Sequence, residues 1–363
     1  MARRLFIAGS AQNAGKTTMS VGLLFALHAR FASAGFIKPI GQRWIEAEGV
    51  RVDEDAVLMK TVFRFPDNLK DMNPITVESR VTRDFIDAPE RELFIGEIAR
   101  SFASLERDRD VMVIEGTGHA GVGSVFDLSN AQVAKLLDAP AILVARAGIG
   151  RSIDEIWLNQ CVFEREGVRL AGVIVNRCRM DKLDEVSTYV GKGLRKKGIE
   201  LLGVIPDTGL LRARSVLQIL QAIDGELLNG ADQTSNTILR IVVGAMSPHR
   251  ALDYFDRHSL LITPGEREDL ILAAMSSCLM RTGKERCVSA IMLTGGLRPH
   301  RRIMSLIRKT KIPVMLVPYD SYTAASRVHD HVAKIHPEDK KKISLARRLV
   351  RRHVNIERLL ELV

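Results

Sequence analysis

An apolar run, "RRLFIAG" (3–9), reaches a helical stretch opening at Gly15-Lys16-Thr17 through only five residues, Ser10 to Ala14. Few folds accept that arrangement. A strand feeding straight into a helix aims the first helical N–H groups at the intervening loop, and a lysine and a hydroxyl there complete a phosphate site. The strict loop spacing needs glycine at position 10, where this chain has Ser10, with Gly9 one place early. Ser10 gives up only the most permissive backbone position, and Gly9 relieves the bend before it. The spacing predicts Lys16 against the β- and γ-phosphates of a nucleotide and Thr17 on a metal ion.

The first two-thirds of the chain repeats the strand–helix alternation. "GFIKPIG" (35–41), "DVMVIEG" (110–116), "APAILVAR" (139–146), "RLAGVIVN" (169–176) and "ELLGVIP" (200–206) read as further strands. Their apolar content is continuous rather than alternating, as in parallel strands covered on both faces. Helices are expected over 16–33, 129–137, 152–166 and 182–197, with "SIDE" (152–155) as a capping box. The fold class is α/β: a doubly wound, mostly parallel sheet over 1–224. The polar stretch 225–237 reads as a linker. A second, smaller α/β pattern follows over 238–345, with helices at 267–281 and 299–309. The C-terminal stretch 346–363 reads as a basic amphipathic helix, residues 338–363 carrying eight Lys/Arg against four acids.

Composition narrows the function classes. Aromatics make up 5% of the chain, so stacking platforms for single-stranded nucleic acid are scarce. Of the net charge of +10, +4 (8 − 4) falls within residues 338–363, on a helix face that reads as solvated surface. Nucleic acid is an unlikely partner on this reading. No apolar run approaches the ~20 residues that span a bilayer, and no signal peptide precedes the first strand, so a cytoplasmic protein is expected. Cys161, Cys178, Cys278 and Cys287 show no metal spacing and read as reduced, mostly buried thiols.

A second glycine cluster, "EGTGHAG" (115–121), spells G-x-G-x-x-G after a strand. A dinucleotide site requires such glycines to open a helix at once, whereas here "VGSVFDL" intervenes before Ser129 caps the next helix. Glu115 is the more informative residue. It ends a buried strand and points toward the crevice of the phosphate loop, where an acid holds Mg2+ directly or through water. "TGG" (294–296) is either an anion-binding nest or a tight turn, with Thr294 and Arg298 as weak ligand candidates.

These motifs together resemble the dethiobiotin synthetase-like P-loop proteins, and more closely the N-terminal region of long phosphotransacetylases. The cues are the Gly9-x5-Gly-Lys-Thr spacing, "IKPIG" with Lys38, "DEDAVLMK" with Asp55, "VIEGTG" with Glu115 and "VNR" with Asn176. Residues 238–345 resemble the DRTGG domain through "LLITPGERED", "AIMLTGG" and "IPVMLVPYDSYTAA", with Glu266 where Asp is usual. The resemblance implies ATP and Mg2+ as cofactors. ATP is held by Gly9, Ser10, Asn13, Ala14, Gly15, Lys16, Thr17 and Thr18, with Asn176 reading the adenine edge. The metal is held by Thr17, Asp55 (Asp53 being an alternative) and Glu115. Lys16 and Lys38 face the phosphates and substrate as the catalytic pair. A homodimer and an unidentified small molecule at the DRTGG-like domain are also implied.

The chain departs from dethiobiotin synthetase where substrate is handled. Ala11, Gln12 and Asn13 replace acidic and hydroxyl residues in the loop, and Gln42 stands where serine is usual. No acetyltransferase catalytic domain follows within this sequence. The expectation is therefore an ATP-binding sensor or regulatory protein. The alternative is an ATP-dependent ligase that phosphorylates a small carboxylate or carbamate, for which Lys38 is the discriminating residue. A nucleic-acid-bridging role for the C-terminal helix ranks last.

Overall fold

The computed structural model describes residues 2–279, 287–330 and 333–363. The chain divides into two units: Met1–Thr208 with Ile335–Val363, and Gly209–Lys334.

In the first unit six strands form one sheet: β1 (Arg3–Gly9), β2 (Ala34–Ile37), β3 (Val111–Glu115), β4 (Ala141–Arg146), β5 (Leu170–Cys178) and β6 (Leu201–Pro206). Their order is β6-β5-β4-β1-β3-β2 and every pairing is parallel. The continuous apolar runs are explained by burial on both faces: Leu5, Phe6, Ile7 and Ala8 in β1 are all at 1% exposure or less. Successive strands are laid down on opposite sides of β1, so the crevice beyond the carboxyl ends of β1, β3 and β4 is where an open α/β sheet holds its ligand. The helix Lys16–His28 opens directly from the loop after β1. Ser129 caps the helix Asn130–Leu136, and Gln132 completes that box.

The capping box expected at 152–155 does not form. The helix Gly150–Arg165 starts two residues earlier. Ser152 instead donates its hydroxyl to the Arg146 carbonyl. Glu155 is drawn away by Arg151 (2.7 Å) and Ser10 (2.9 Å).

The C-terminal stretch is part of the first unit rather than an appendage. It forms two helices, Lys340–His353 and Ile356–Leu362. The longer one buries Ile343, Leu345, Ala346, Leu349 and Val350, and it crosses the helix Lys16–His28 at Gly22. A Cβ on Gly22 would lie 2.3 Å from Val350 Cγ2 and 2.8 Å from the Ala346 carbonyl. Beyond the helix, Asn355 donates its N–H to Leu202 of β6 (2.8 Å), and the Arg3 guanidinium caps the carbonyls of Leu360 and Val363. The apolar stripe of this helix is what brings the chain back to the first unit.

The second unit has a five-stranded sheet: β7 (Glu226–Asn229), β8 (Arg240–Val243), β9 (Ser259–Pro264), β10 (Ala290–Thr294) and β11 (Val314–Leu316), ordered β7-β11-β10-β9-β8. Only β7 is antiparallel to its neighbour. Alternate residues enter two cores: Leu261, Ile291 and Leu293 on one face, Leu260, Ile262 and Met292 on the other. The stretch 225–237 is therefore no linker. Its first residues pair with β11 as an edge strand, and the Asn229 side chain donates to the carbonyls of Ile307, Thr310 and Ile312. The boundary falls at Thr208–Gly209 instead.

The thiol expectation also changes. Cys278 and Cys287 are disulfide-bonded, Cys161 is exposed and Cys178 is buried. The helix Glu268–Leu279 and the approach to β10 bring the paired Cα atoms within 4.4 Å. Residues 280 and 281 of the helix expected over 267–281 lie outside the described residues.

Candidate nucleotide site

The loop after β1 is held from below by its neighbours. Gly9 N–H donates to the Gly118 carbonyl (3.0 Å) and Ser10 N–H to Val144 of β4 (2.8 Å). Gly9 is required by that closeness: a Cβ there would meet the Ala11 carbonyl at 2.8 Å and that of Gly118 at 3.1 Å. Ser10 is buried, and Asn159 ties its carbonyl to the Ala120 N–H, with 3.1 Å and 2.8 Å bonds. Asn13 and Gly15 adopt left-handed backbone, with φ of 60° and 102°. That conformation is tolerated by Asn and preferred by Gly, and it turns the chain so that Lys16 and Thr17 begin the helix.

The Thr17 hydroxyl donates to Glu115 Oε1 at 2.9 Å. Glu115, at the end of β3, is fully buried, and its Oε2 completes no hydrogen bond of ordinary geometry, although the Ser20 hydroxyl lies close to the carboxylate. Burial and the Asp55 charge push its carboxyl above the ordinary carboxylate range, while the Lys38 charge, the neighbouring Ser20 hydroxyl and the Lys16 charge pull it back. Lys38, Asp53 and Asp55 form the other wall. Lys38 is 5% exposed, and its ammonium pairs with Asp55 and with Asp53 Oδ1, the latter at 2.9 Å. Burial works against that ammonium, but the charges of Asp55, Asp53 and Glu115 outweigh it and hold its pKa well above the ordinary lysine value.

Asp53 and Asp55 divide their work. Asp53 caps the helix Glu54–Phe63 through the Asp55 N–H and also accepts from the N–H groups of Gln42 and Arg43, at 3.0 and 3.1 Å. Its oxygens are thus committed to backbone and Lys38. Asp55 meets Lys38 through a single oxygen, Oδ2.

Mg2+ takes hard oxygen donors and keeps several waters, so one or two protein groups beside phosphates suffice to hold it. Among the described residues no group of three His, Cys, Asp or Glu is arranged to hold a metal alone. The donor set nevertheless fits Mg2+: a helix-start hydroxyl on Thr17 and a buried carboxylate oxygen on Glu115 that completes no hydrogen bond of ordinary geometry. Bound there, the ion would offset charge on the nucleotide phosphates.

The structure brings together Gly9 through Thr18, Lys38, Asp55 and Glu115 at one end of the sheet. Asn176, in register with Arg146, lies against the loop itself. Its Nδ2 donates to the Ala14 carbonyl (2.9 Å) and its Oδ1 accepts the Arg177 N–H (2.9 Å). In this conformation the side chain supports the loop rather than presenting a free edge.

Three residues escaped the sequence reading. Asn73 is fully buried. It accepts the Asp53 N–H (2.7 Å) and donates to the Lys38 carbonyl (2.7 Å), fixing both charged residues from behind. Asn130 braces the glycine-rich turn through Thr117 and His119. Arg146 donates from Nη2 to the Gln12 carbonyl (3.0 Å). The only available signal was a cation on the last residue of an apolar run, beside the loop strand.

In the second unit the TGG turn is not an anion nest. Gly295 and Gly296 donate their N–H groups to Tyr319 (2.6 Å) and Val317 (2.8 Å). Thr294 bonds Ser321 (2.8 Å), and Arg298 pairs with Glu226 (2.6 Å). The glycines serve a tight turn that keeps β10 and β11 in register.

Comparison with known proteins places this geometry. A family model described as an AAA domain matches residues 3–215, and one described as a DRTGG domain matches 218–331. Across 99% of its length the chain is 24% identical to 52% of a phosphate acetyltransferase of Synechocystis sp.. It is similar to the phosphate acetyltransferase of Nitratidesulfovibrio vulgaris (23% identity over 99% of this chain and 51% of that one) and to that of Deinococcus radiodurans (27% over 90% and 46%). The chain thus spans about half the length of these relatives. No helix among the described residues is long and apolar enough to cross a membrane. The chain belongs to the AAA domain family of P-loop proteins, joined to a DRTGG domain in the arrangement of the N-terminal region of phosphotransacetylases.

Proposed function

We propose that this protein binds ATP·Mg2+ as a nucleotide- and metabolite-sensing regulatory protein, with at most slow ATP hydrolysis. The observation that carries the reading is the Thr17–Glu115 hydrogen bond with the second Glu115 oxygen buried and completing no hydrogen bond of ordinary geometry. It provides a place for a cation beside the phosphate loop. Gly9 through Thr18 cradle the phosphates, Lys16 supplies positive charge, and Thr17, Glu115 and Asp55 hold Mg2+. The DRTGG-like unit takes a second small ligand. The protein acts in the cytoplasm as a homodimer, a state that sedimentation would read directly.

The ligase reading, phosphoryl transfer to a small carboxylate or carbamate, needs Lys38 beside the transferred group. That ammonium is instead neutralised by two buried carboxylates, which favours the sensor. The test is thermal stability with and without ATP·Mg2+, with Lys16→Ala as control. At 100 times Kd the ligand adds about 2.7 kcal/mol, or roughly 5–10 °C for a domain of this size. No shift in the natural chain rejects both readings. Phosphate release that depends on an added carboxylic acid and vanishes in Lys38→Ala rejects the sensor in favour of the ligase.

A further inference from the structure

Arg146 is the last residue of β4, which lies between the loop strand β1 and the Asn176 strand β5. Its backbone is fixed on both sides. The carbonyl accepts from Ser152, and the next N–H, from Ala147, donates to Asn176 (2.8 Å). The side chain therefore projects from the carboxyl end of the sheet across the crown of the phosphate loop, where Nη2 meets the Gln12 carbonyl at 3.0 Å. The adjoining donor, Nε, is buried and without a partner among the described residues. Nε and Nη2 form one edge of the guanidinium, the fork that receives two oxygens of a phosphate or carboxylate. Here half of that edge steadies the loop and half is unused. A buried donor left without an acceptor is costly; the Glu155 carboxylate feels the Arg146 charge but spends its hydrogen bonds on Arg151 and Ser10, so Nε itself stays unbonded.

From this geometry we infer that Arg146 is a further phosphate-binding residue of the nucleotide site, its Nε closing on a phosphate oxygen of the ligand held by the loop. The inference rests on the nucleotide reading above and extends it: one wall of the phosphate pocket is a guanidinium supplied by the same chain, opposite the wall formed by Lys38 and Glu115. Binding of a nucleotide polyphosphate then has two effects on Arg146. It satisfies Nε, and it tightens the loop crown through the same side chain. A nucleoside without phosphates gains neither.

The test uses the full chain and isothermal titration with ATP·Mg2+, comparing the natural protein with Arg146→Ala, Arg146→Gln and Arg146→Lys. Unliganded melting temperatures are measured in parallel. Loss of one charge-assisted contact weakens ATP about tenfold, the change equivalent to ~1.4 kcal/mol. The expected result is that loss in Arg146→Ala and Arg146→Gln, partial recovery in Arg146→Lys, and unliganded melting temperatures close to the natural value. Added methylguanidinium is expected to restore affinity to Arg146→Ala alone. ATP binding within twofold of the natural value in both Arg146→Ala and Arg146→Gln overturns the inference and leaves the nucleotide reading standing. Weakened binding with a lowered unliganded melting temperature and no methylguanidinium rescue makes Arg146 a prop of the loop, which also overturns it. Absence of ATP binding in the natural chain rejects the nucleotide reading itself, and this inference with it.

Discussion

The Lys38 ammonium lies 2.9 Å from Asp53 Oδ1, and both side chains are almost wholly shut off from solvent. Asp55 pairs with the same ammonium, so two carboxylates compete for one lysine in a dry site. Such an arrangement is stable only while complete, because an unpaired buried charge keeps its desolvation cost and loses its attraction.

Lys38→Met is therefore expected to destabilise the first unit by about 3–5 kcal/mol. Its melting temperature falls, and Mg2+ recovers part of the loss by taking the place of the ammonium beside Asp55 and Glu115. Differential scanning calorimetry with and without Mg2+ reads both effects. A variant as stable as the natural chain would show that the pair contributes nothing.

The Glu115 carboxyl sets a pH dependence of definite sign. Its ordinary value is 4.5, and burial raises it in the folded state. Between the unfolded and folded values the folded chain holds a proton that the unfolded chain has released, so stability falls as pH rises through that interval. Above the folded value the loss is complete and constant. Glu115→Gln removes this slope, and melting curves collected from pH 4 upward compare the two chains directly.

Gly22 is the contact point of the helix that starts at the phosphate loop and the helix that returns from the second unit. Gly22→Val drives new atoms into Val350 and the Ala346 carbonyl. Overpacking of this kind costs about 1–3 kcal/mol. Urea unfolding followed by tryptophan fluorescence measures the loss, since both tryptophans, Trp44 and Trp157, belong to the first unit.

Reduction of Cys278–Cys287 frees a loop whose ends are nine residues apart. Loop-closure entropy then predicts about 2.5 kcal/mol less stability for the second unit. Thermal unfolding with and without a thiol reductant, with Cys278→Ser as the permanently open form, gives the size of the effect. Equal melting curves would mean that the crosslink adds no stability.

The strands and their parallel sense were legible because burial on both faces leaves a local mark: continuous apolar runs such as 139–146 and 200–206, broken by helices. The phosphate loop was legible for the same reason, since its N–H groups, lysine and hydroxyl sit within a few residues of one another. Side-chain partnership left no such mark. "SIDE" reads as a capping box, yet Glu155 turns to Ser10, 145 residues away in sequence. "DGELLNGADQTSNT" reads as a linker, yet an edge strand needs little apolar content of its own when β11 supplies its ladder. Asn73 and Arg146 sit in unremarkable sequence and acquire their roles only from what lies across the crevice.

Local pattern by itself therefore determined the strand–loop–helix unit, the alternating α/β plan and Lys16, Thr17 and Glu115 as residues able to meet a phosphate and a cation, while Lys38, Asp55 and Asn176 came from the family resemblance. Tertiary structure alone decided that Lys38 is locked between Asp53 and Asp55, that Asn176 braces Ala14, and that the C-terminal helices return to the first unit against Gly22. The physical reason is range. Periodicity and loop chemistry act over a few residues, whereas ion pairing and the packing of an apolar stripe depend on groups that the folded chain brings together from 15 to more than 300 positions apart.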